Sequence, residues 1–317
     1  MSQAPTRQYL RVCQVITGKN GSGLQVEGLR VEFTITKTIG RAPNTAKIKI
    51  YNLSQATEGQ IKGEFDEVLL NAGYQGASLL IFRGNIRHAD AYRDGVNRIL
   101  ELDCADGDKD FRKAIVNTTL AKGTTTAQVV DHVIQQFETT TRGTIILASK
   151  ARPRGLVLCG MARDVLDRVA SEQDAHWSIQ DGALHIVPVD KTLPSEAIVI
   201  NSGTGMLGAP VRDDKGIKVR CLLNPRIKVN GKIWLDNNDF RDQVAKTKTT
   251  YPGAKPPKKS AKTKRSGTLA RLDPDGIYKC FRVDHEGDTR GEKWETTIMC
   301  VALDAAIPST RTATAAA

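Results

Sequence analysis

The alternation of apolar and polar positions in "TAKIKIY", residues 45–51, predicts a strand with one buried face. The polar side of this strand carries Lys47, Lys49 and Tyr51. An apolar leucine follows shortly afterwards and precedes Ser54, which we interpret as the N-cap of a short helix. The segment therefore predicts a strand, a turn and a helix, and it leaves open what the lysine-bearing face contacts.

Strand-like alternation also dominates residues 9–108 and the last third of the chain. In the first region, Asp94–Gly95 predicts a tight hairpin with both residues at the central positions of a type I′ turn. In the last third, residues 216–235 predict a strand pair turned at Asn230–Gly231, and residues 275–303 predict a second hairpin. Long strands with regular turns favour an antiparallel barrel or sandwich.

The middle third of the chain changes to a helical period. Apolar residues recur on one helical face in residues 124–138 and again in residues 160–175, which predicts two amphipathic helices. A hairpin turned at Asp181–Gly182 follows them. These signals predict a small α+β unit over residues 112–192.

Basic residues are concentrated in one segment. The net charge of the 317-residue chain is +11, but residues 241–271 hold ten basic side chains and one acidic side chain. The rest of the chain is nearly neutral, at +2. A composition rich in Lys, Thr, Pro and Ser, with little apolar surface, predicts a long mobile loop.

Two hypotheses stay open for this basic segment. It is either a solvated crossover loop or an electrostatic contact with an anionic partner such as DNA, an acidic protein or a phosphate-bearing surface. Sequence-specific nucleic-acid recognition is not favoured, because the segment has neither a helical pattern nor interleaved aromatic residues. The candidate contact residues are Lys246, Lys248, Lys255, Lys258, Lys259, Lys262, Lys264 and Arg265.

No motif for catalysis or metal binding is complete. The six cysteines include no CxxC pair, and we expect them to be reduced and mostly buried. Asp106, Asp108 and Asp110 have the spacing of a calcium loop, but Phe111 stands where that loop needs glycine, and we interpret the acids as a solvated turn. For His285 we favour a histidine leading into a turn over a general base. Paired catalytic carboxylates stay open, since such partners meet only in the fold.

Composition and the N-terminal sequence indicate a globular protein made in a cytoplasm. Hydrophobic residues make up 40% of the chain, which is enough for a core. The N-terminus lacks the pattern of a signal peptide, and no apolar run approaches the roughly 18 residues of a membrane span. We therefore expect no membrane anchor.

Several segments, in order along the chain, resemble the baseplate hub proteins of bacteriophage tails, the late control protein D-like adaptors between tail tube and spike. The N-terminal segments are "LRVEFTITKTIGRAPNTAKIKIYNLS", "VLLNAGY", "IFRGNI" and "LELDCADGD". The later segments are "MARDVLDRVASEQDAHWSIQDGALHIVP", "CLLNPRIKVNGKIWLDN" and "DGIYKCFRVDHEGDTRGEKWETTIMCVAL". The resemblance depends on this ordered series, since none of the motifs is catalytic, and it covers the chain apart from the basic segment and both tails.

The resemblance implies a mainly β (α+β) fold, with two tail-tube-like antiparallel β-barrel domains and a small α+β domain between them. The expected divisions are a first barrel at 1–111, the α+β domain at 112–192, a second barrel at 193–308 with a basic loop at 236–272, and a disordered tail at 309–317.

The resemblance further implies a homotrimeric ring, whose six barrels match a sixfold tail tube on one side and a threefold spike on the other. The implied partners are further copies of the chain, the tail tube protein, the spike protein, the tape-measure protein and the passing phage DNA. Lys47, Lys49 and Tyr51 would then face a neighbouring subunit or the lumen, with an ordinary solvated sheet face as the alternative.

We expect a virion protein of the tail baseplate, assembled in the host cytoplasm, with no catalytic residue and no cofactor. Two alternatives from other functional classes stay open. One is a hub-associated cell-wall hydrolase, and the other is a nucleic-acid-binding protein that acts through the basic segment.

Overall fold

The structure is a computed structural model of the chain. It describes residues 8–19, 22–212, 216–236, 241–242, 270 and 272–303. Of these residues, 50% lie in strands and 14% in helices, which confirms the prediction of a mainly β fold.

The N-terminal elements are β1 (Arg11–Lys19), β2 (Ser22–Val26), β3 (Val31–Thr38), β4 (Thr45–Tyr51), α1 (Gln55–Gly63), β5 (Glu67–Tyr74), β6 (Ala77–Asp94), β7 (Asn97–Ala105) and α2 (Asp108–Lys113). The middle elements are β8 (Ile115–Leu120), α3 (Thr126–Ile134), β9 (Thr141–Ile145), β10 (Leu156–Met161), α4 (Ala162–Ser171), β11 (Ala175–Gln180) and β12 (Ala183–Pro188). The C-terminal elements are β13 (Ile198–Val199), a 3-10 turn (Ser202–Thr204), β14 (Val211–Arg212), β15 (Ile217–Leu222), β16 (Lys232–Trp234), β17 (Arg241–Asp242), β18 (Ile277–Asp288) and β19 (Trp294–Ala302).

One large sheet runs through both ends of the chain. Its strand order is β17-β14-β15-β19-β18-β3-β4-β7-β6-β5-β1-β2, and β16 and β13 branch from β18. The N-terminal and C-terminal parts of the sheet join where β3 pairs with residues 282–288 of β18. No pairing among the described strands closes either part into a barrel.

Three apolar cores lie against the sheets. The first packs side chains of β1 and β3–β7, the second packs β15, β16, β18 and β19, and the third packs α3 and α4 on β8, β10, β11 and β12. The first core also takes Trp294 from β19, whose ring lies 5.5 Å from that of Phe33 on β3. The two halves of the large sheet are therefore held together by apolar packing as well as by strand pairing.

The strand predicted at residues 45–51 and the helix predicted to begin after Ser54 are both confirmed. Ala46, Ile48 and Ile50 form the buried side of β4. Ser54 is the N-cap of α1, and its hydroxyl accepts a hydrogen bond from the backbone N–H of Thr57 at 3.1 Å. Local periodicity and capping were enough to predict this part of the fold.

Substitution of this cap should destabilise α1. We expect Ser54→Ala to lower the free energy of unfolding by about 1 kcal/mol, because the N–H of Thr57 loses its acceptor. Urea unfolding measures the change, and Ser54→Asp, which keeps an acceptor, should stay close to wild type. Equal unfolding midpoints for the alanine and aspartate variants would contradict the cap.

The hairpins β6–β7 and β18–β19 share one local architecture. In each hairpin the register shifts by one residue, after Ile86 in β6 and after Cys280 in β18. At the bulge, the backbone N–H bonds away from the hairpin partner strand. Ile86 N–H donates to the carbonyl of Asp66, just before β5, at 2.9 Å, and Cys280 N–H donates to the carbonyl of Gly231, just before β16, at 3.0 Å. The bulge is thus a shared feature of both halves of the sheet.

The strands beside the two hairpins correspond as well. β4 pairs with β7 as β15 pairs with β19, and both pairs are antiparallel. When the hairpins are aligned on the bulge, Lys47 matches Lys218 and Lys49 matches Arg220. The correspondence ends further out, because β13 pairs with β16 in parallel whereas β1 pairs with β5 antiparallel.

The middle unit contains the two helices and the hairpin turn predicted from its sequence. α3 and α4 are amphipathic helices within the two predicted segments. Asp181 and Gly182 have φ angles of 55° and 80°, so the β11–β12 hairpin has the predicted type I′ turn.

Two other hairpin predictions are wrong in their details. Asn230–Gly231 does not join a strand pair, because β15 pairs with β14 and β19 whereas β16 pairs with β18 and β13. In the β6–β7 hairpin, Asp94 is the last paired residue and the loop is Gly95–Val96. Only Gly95 of these two loop residues has positive φ, 58°, which is the type II′ pattern rather than type I′.

Candidate assembly face

One side of the large sheet is polar across both of its halves. Directly paired residues of neighbouring strands lie on the same side of a sheet, so the pairing register defines this side. We call it the polar face, and its members are Glu32, Thr34, Lys47, Lys49, Glu101, Asp103, Lys218, Arg220, Glu286 and Glu295. The junction between β3 and β18 lies in the middle of this face.

Lys47 lies at the centre of an ion-pair network on the polar face. Its Nζ is 2.6 Å from Oε1 of Glu101 and 3.7 Å from Oδ1 of Asp103. The other oxygen of Glu101 lies 3.7 Å from Nζ of Lys49 and accepts a hydrogen bond from the Tyr92 hydroxyl at 3.0 Å. The hydrogen bond from Lys47 is the largest cause of the lowered pKa of Glu101, and it raises the pKa of Lys47. Both groups are therefore charged at neutral pH.

Removal of the Lys47 side chain should shift the pKa of Glu101 and have little effect on the free energy of unfolding. We expect Lys47→Ala to raise the pKa of Glu101, while the free energy of unfolding changes by about 1 kcal/mol or less, since the lysine side chain is 51% exposed. NMR titration of the Glu101 carboxyl measures the shift. Lys218→Ala, at the matching position of β15, is the control and should leave Glu101 unchanged. A Glu101 pKa equal in all three proteins would contradict the network.

Tyr51 is engaged at one end of the same face. The guanidinium carbon of Arg30 lies 4.5 Å from the centre of the Tyr51 ring, and Arg30 also pairs with Asp288 and Glu32, each at 2.7 Å. Burial and a hydrogen bond with Glu32 raise the pKa of Tyr51 to about 12, so the phenol is neutral. The structure thus places Lys47, Lys49 and Tyr51 on one side of β4 but in two clusters.

A groove of about 350 Å³ opens on the polar face where β18, β3 and β4 meet. Its polar lining consists of Glu32, Thr34, Lys47, Lys49, Glu286, Asp288, Glu292 and Lys293. Basic groups in this groove have acidic neighbours, as Lys293 does with Glu286 at 2.6 Å. Such a surface offers many hydrogen-bonding groups and no strong field of one sign, which suits contact with water or a polar protein surface.

A second polar cluster is buried where the middle unit meets the large sheet. The carboxylate of Asp106 accepts hydrogen bonds from the backbone N–H groups of Asp181 at 2.5 Å and Gly182 at 2.9 Å. Lys37 of β3 places its Nζ 2.5 Å from Oδ1 of Asp181. Burial raises the pKa of Asp106, and the nearby charge of Asp181 raises it further, to about 7. These contacts fix the β11–β12 turn against β3 and the end of β7.

The interpretation of the aspartates at 106, 108 and 110 as a solvated turn is wrong. All three are at most 2% exposed. Asp108 pairs with Arg87, and Asp110 accepts hydrogen bonds from the three backbone N–H groups of residues 138–140. Sequence reasoning missed these roles because Arg87, residues 138–140 and Asp181 are distant along the chain; Arg112, which also pairs with Asp108, is the exception at four residues away. Among the residues that the structure describes, no group of three His, Cys, Asp or Glu side chains could hold a metal ion.

His285 does not lead into a turn. It lies within β18 at 1% exposure, and its Nδ1 is 2.9 Å from Oγ1 of Thr296. Burial, together with the charge of Lys37, lowers the pKa of His285 to about 3, so the ring is neutral. The cysteine prediction is confirmed, since all six thiols are free and five of them are buried.

The candidate contact residues of the basic segment lie outside the described residues; they are Lys246, Lys248, Lys255, Lys258, Lys259, Lys262, Lys264 and Arg265. None of the helices in the described ranges is long and apolar enough to cross a membrane.

The fold resembles that of solved tail proteins. The 43 kDa tail protein of prophage MuSo2 from Shewanella oneidensis has a TM-score of 0.59 at 9% identity, covering 93% of this chain and 99% of that chain. The tail protein from Neisseria meningitidis MC58 has a TM-score of 0.57 at 9% identity, covering 95% and 100%. At such low identities, the similarities show the fold alone.

A third similar structure is the E. coli c3393 protein, a component of the type VI secretion system with structural similarity to the T4 bacteriophage tail proteins gp27 and gp5. Its TM-score is 0.56 at 10% identity, covering 91% of this chain and 76% of that chain. The comparison with curated proteins gives no match.

The sequence itself matches a family model. The model describes the baseplate hub gp41 family, and it matches residues 10–247, which is most of the chain. The resemblance found in the sequence, the mainly β fold and the similar tail structures all agree with this match. The chain therefore belongs to the baseplate hub gp41 family, a family of structural proteins of the bacteriophage tail.

Proposed function

We propose that three copies of this chain form a ring in the baseplate and that the ring connects a sixfold tail tube to a threefold spike. The observation that most strongly supports this proposal is the architecture shared by the β6–β7 and β18–β19 hairpins. Each hairpin has a bulge at the corresponding position and an antiparallel strand, β4 or β15, at the corresponding edge. A chain with two such halves presents six of them when three copies assemble. The ring can then match a sixfold partner and a threefold partner at once.

Each half belongs to one tube-like domain in this proposal. The first domain is 1–111 and the second is 193–308, with the α+β domain at 112–192 between them. The three apolar cores support the division, although Trp294 joins the first core from the C-terminal half. The buried contacts of Asp106 with the β11–β12 turn brace the α+β domain against the sheet.

The polar face lines the channel of the ring. Lys47 and Lys49 are neutralised by Glu101 and Asp103 within the same subunit. A channel wall with internally paired charges does not hold a passing polymer of either sign strongly, which suits the passage of tape-measure protein and then DNA. Assembly of the ring takes place in the host cytoplasm.

The function is tested in the phage that encodes the chain. An early stop codon in its gene should give tails without a spike at the tip, as seen by electron microscopy, and expression of the intact chain in the host should restore them. Complete, spiked tails in the absence of the chain would contradict the proposal. Clearing of a cell-wall suspension by the purified protein would instead favour the hydrolase alternative.

A second candidate function is DNA binding by the basic segment, favoured by its ten basic side chains against one acidic side chain. We expect a chain lacking residues 243–269 to lose affinity for a DNA duplex, and we expect wild-type affinity to fall steeply between 50 and about 200 mM salt. A mobility-shift titration at two salt concentrations measures both. Equal binding by the deleted and intact chains would exclude this role.

A further inference from the structure

The two-stranded sheet of the middle unit is covered on one side only. β8 and β10 pair antiparallel with each other, and neither pairs with another of the described strands. On the covered side, Val116, Leu120 and Leu158 belong to the third core and are at most 6% exposed. The alternate residues of both strands form the opposite side. We call it the outer face, and its members are Ile115, Asn117, Thr119, Val157, Cys159 and Met161.

The outer face is more apolar than a solvated sheet side usually is. Ile115 is 61% exposed and Val157 is 65% exposed, so no described part of the chain covers them. Cys159 is the one exposed cysteine of the six. None of the six side chains of the face is charged. An antiparallel sheet with one side in water normally carries polar residues there, so this face has the character of a contact surface.

Unpaired cations lie at both ends of the outer face. Each strand has six residues, which span about 20 Å. Lys113 precedes β8 at one end, and the pairing register places Lys122 and Arg154 at the other end. All three are exposed, and none forms an ion pair with a described residue. Residues 113–161 hold six basic and two acidic side chains, so the excess charge around the face is positive.

We propose that the outer face binds another protein of the baseplate, through a surface that has an apolar centre and carboxylates at both ends. The apolar centre covers Ile115 and Val157. The carboxylates neutralise Lys113 at one end of the face, and Lys122 and Arg154 at the other end. This inference rests on membership of the baseplate hub family and does not depend on the number of copies in a ring.

The composition of the face favours a protein over other partners. Two copies of the same face do not suit each other, because cations stand at both ends and would meet cations in either orientation. The face has no aromatic side chain, whereas membrane-surface segments use such rings as anchors and single-stranded nucleic acids stack on them. Its centre also lacks the cations that contact phosphates along a nucleic-acid backbone.

Cys159 provides a direct test, because it lies in the middle of the outer face, opposite Asn117. Alkylation by iodoacetamide is followed by mass spectrometry on the purified protein and on tails isolated from the phage. We expect Cys159 to react at least about tenfold more slowly in tails, since a covered thiol meets the reagent only when the contact opens. The five buried cysteines are the internal control, because their alkylation would indicate unfolding.

Charge reversal tests the electrostatic part of the contact. Lys122→Glu/Arg154→Glu is expressed in the host of the phage that carries the early stop codon. We expect the number of spiked tails to fall at least about tenfold relative to the wild-type chain, because the new carboxylates face those of the partner. The solution mass of the purified variant should equal that of wild type. Lys62→Glu/Lys191→Glu is the matched control, since both lysines are exposed outside the outer face, and it should give wild-type tail numbers.

Normal tail numbers with Lys122→Glu/Arg154→Glu, or equal alkylation of Cys159 in tails and in the purified protein, would overturn the inference and leave the proposed ring untouched. Protection of Cys159 in the purified protein alone would assign the face to a second copy and overturn it as well. Protection by added phosphatidylglycerol vesicles would identify a lipid surface, with the same consequence. If the double variant does not fold, alkylation of the wild type decides. A purified protein that stays a single chain would count against the ring only.

Discussion

Phe33→Ala should lower the free energy of unfolding by about 3–5 kcal/mol, because it empties the apolar contact between the two halves of the sheet. Phe33 is 3% exposed on β3, and its ring lies 5.5 Å from the Trp294 ring of β19 at an interplanar angle of 71°. The same ring covers Gly287 of β18, where a side chain would meet it. One residue of the N-terminal half thus packs against two strands of the C-terminal half.

Chemical denaturation followed by tryptophan fluorescence measures this loss. Leu79→Ala is the matched control, because Leu79 is 46% exposed on β6 and its truncation should cost less than about 1 kcal/mol. Similar losses in both variants would show that Phe33 does not hold the halves together. A transition that splits into two steps in Phe33→Ala would identify the halves as separate folding units once the contact is lost.

Asp106→Ala should have the second large effect, a loss of about 3 kcal/mol at pH 5, because two buried backbone N–H groups lose their acceptor. These groups belong to Asp181 and Gly182 in the β11–β12 turn. Asp106→Asn keeps one acceptor oxygen and should lose less. Thermal unfolding of wild type and the two variants ranks their stabilities. A loss in Asp106→Ala no greater than that in Asp106→Asn would contradict the role of Asp106 in anchoring the β11–β12 turn.

The stability contributed by Asp106 should depend on pH. Its folded-state pKa is raised to about 7, above the ordinary value of 3.8, so the folded protein binds the proton more tightly than the unfolded chain does. That contribution is complete below about pH 4 and is lost as the pH rises through 7. The stability difference between wild type and Asp106→Asn should therefore become less favourable to wild type from pH 4 to pH 7. A difference that grows over this range would contradict the burial of a protonated carboxyl group.

Local patterns predicted the elements of this fold well. The alternation in residues 45–51 gave the buried side of β4, and Ser54 gave the start of α1. The turn at Asp181–Gly182 was predicted because both of its positions need positive φ, which Asp and Gly tolerate. Each of these features is determined by residues that are close together in sequence.

Long-range contacts account for the wrong predictions at Asp106 and at Asn230–Gly231. Asp106 is buried because it meets the turn at Asp181, 75 residues away, and no local signal contains that partner. Asn230–Gly231 resembles a hairpin turn, but β15 and β16 pair with other strands, whose positions are determined by the large sheet. An apolar environment and a pairing partner supplied from elsewhere in the chain outweigh the preference of a dipeptide.

One signal for the repeated architecture was present in the sequence. "AKIKIY" at 46–51 and "IKVRCL" at 217–222 place basic residues at the same alternate positions. The structure aligns these two segments on matching bulges, with Lys47 opposite Asp103 and Lys218 opposite Met299. A repeat of six residues is too short to be recognised without the pairing register. The structure was therefore needed to show that the polar face extends across both halves of the sheet.

Electron microscopy of the purified protein tests the central claim most directly. Three-dimensional classification should give a hollow ring with threefold symmetry and a mass three times the 34.6 kDa of one chain, with the polar face toward the channel. Single chains, or rings with another number of copies, would contradict the proposal that two matching halves per chain adapt a threefold assembly to a sixfold tube.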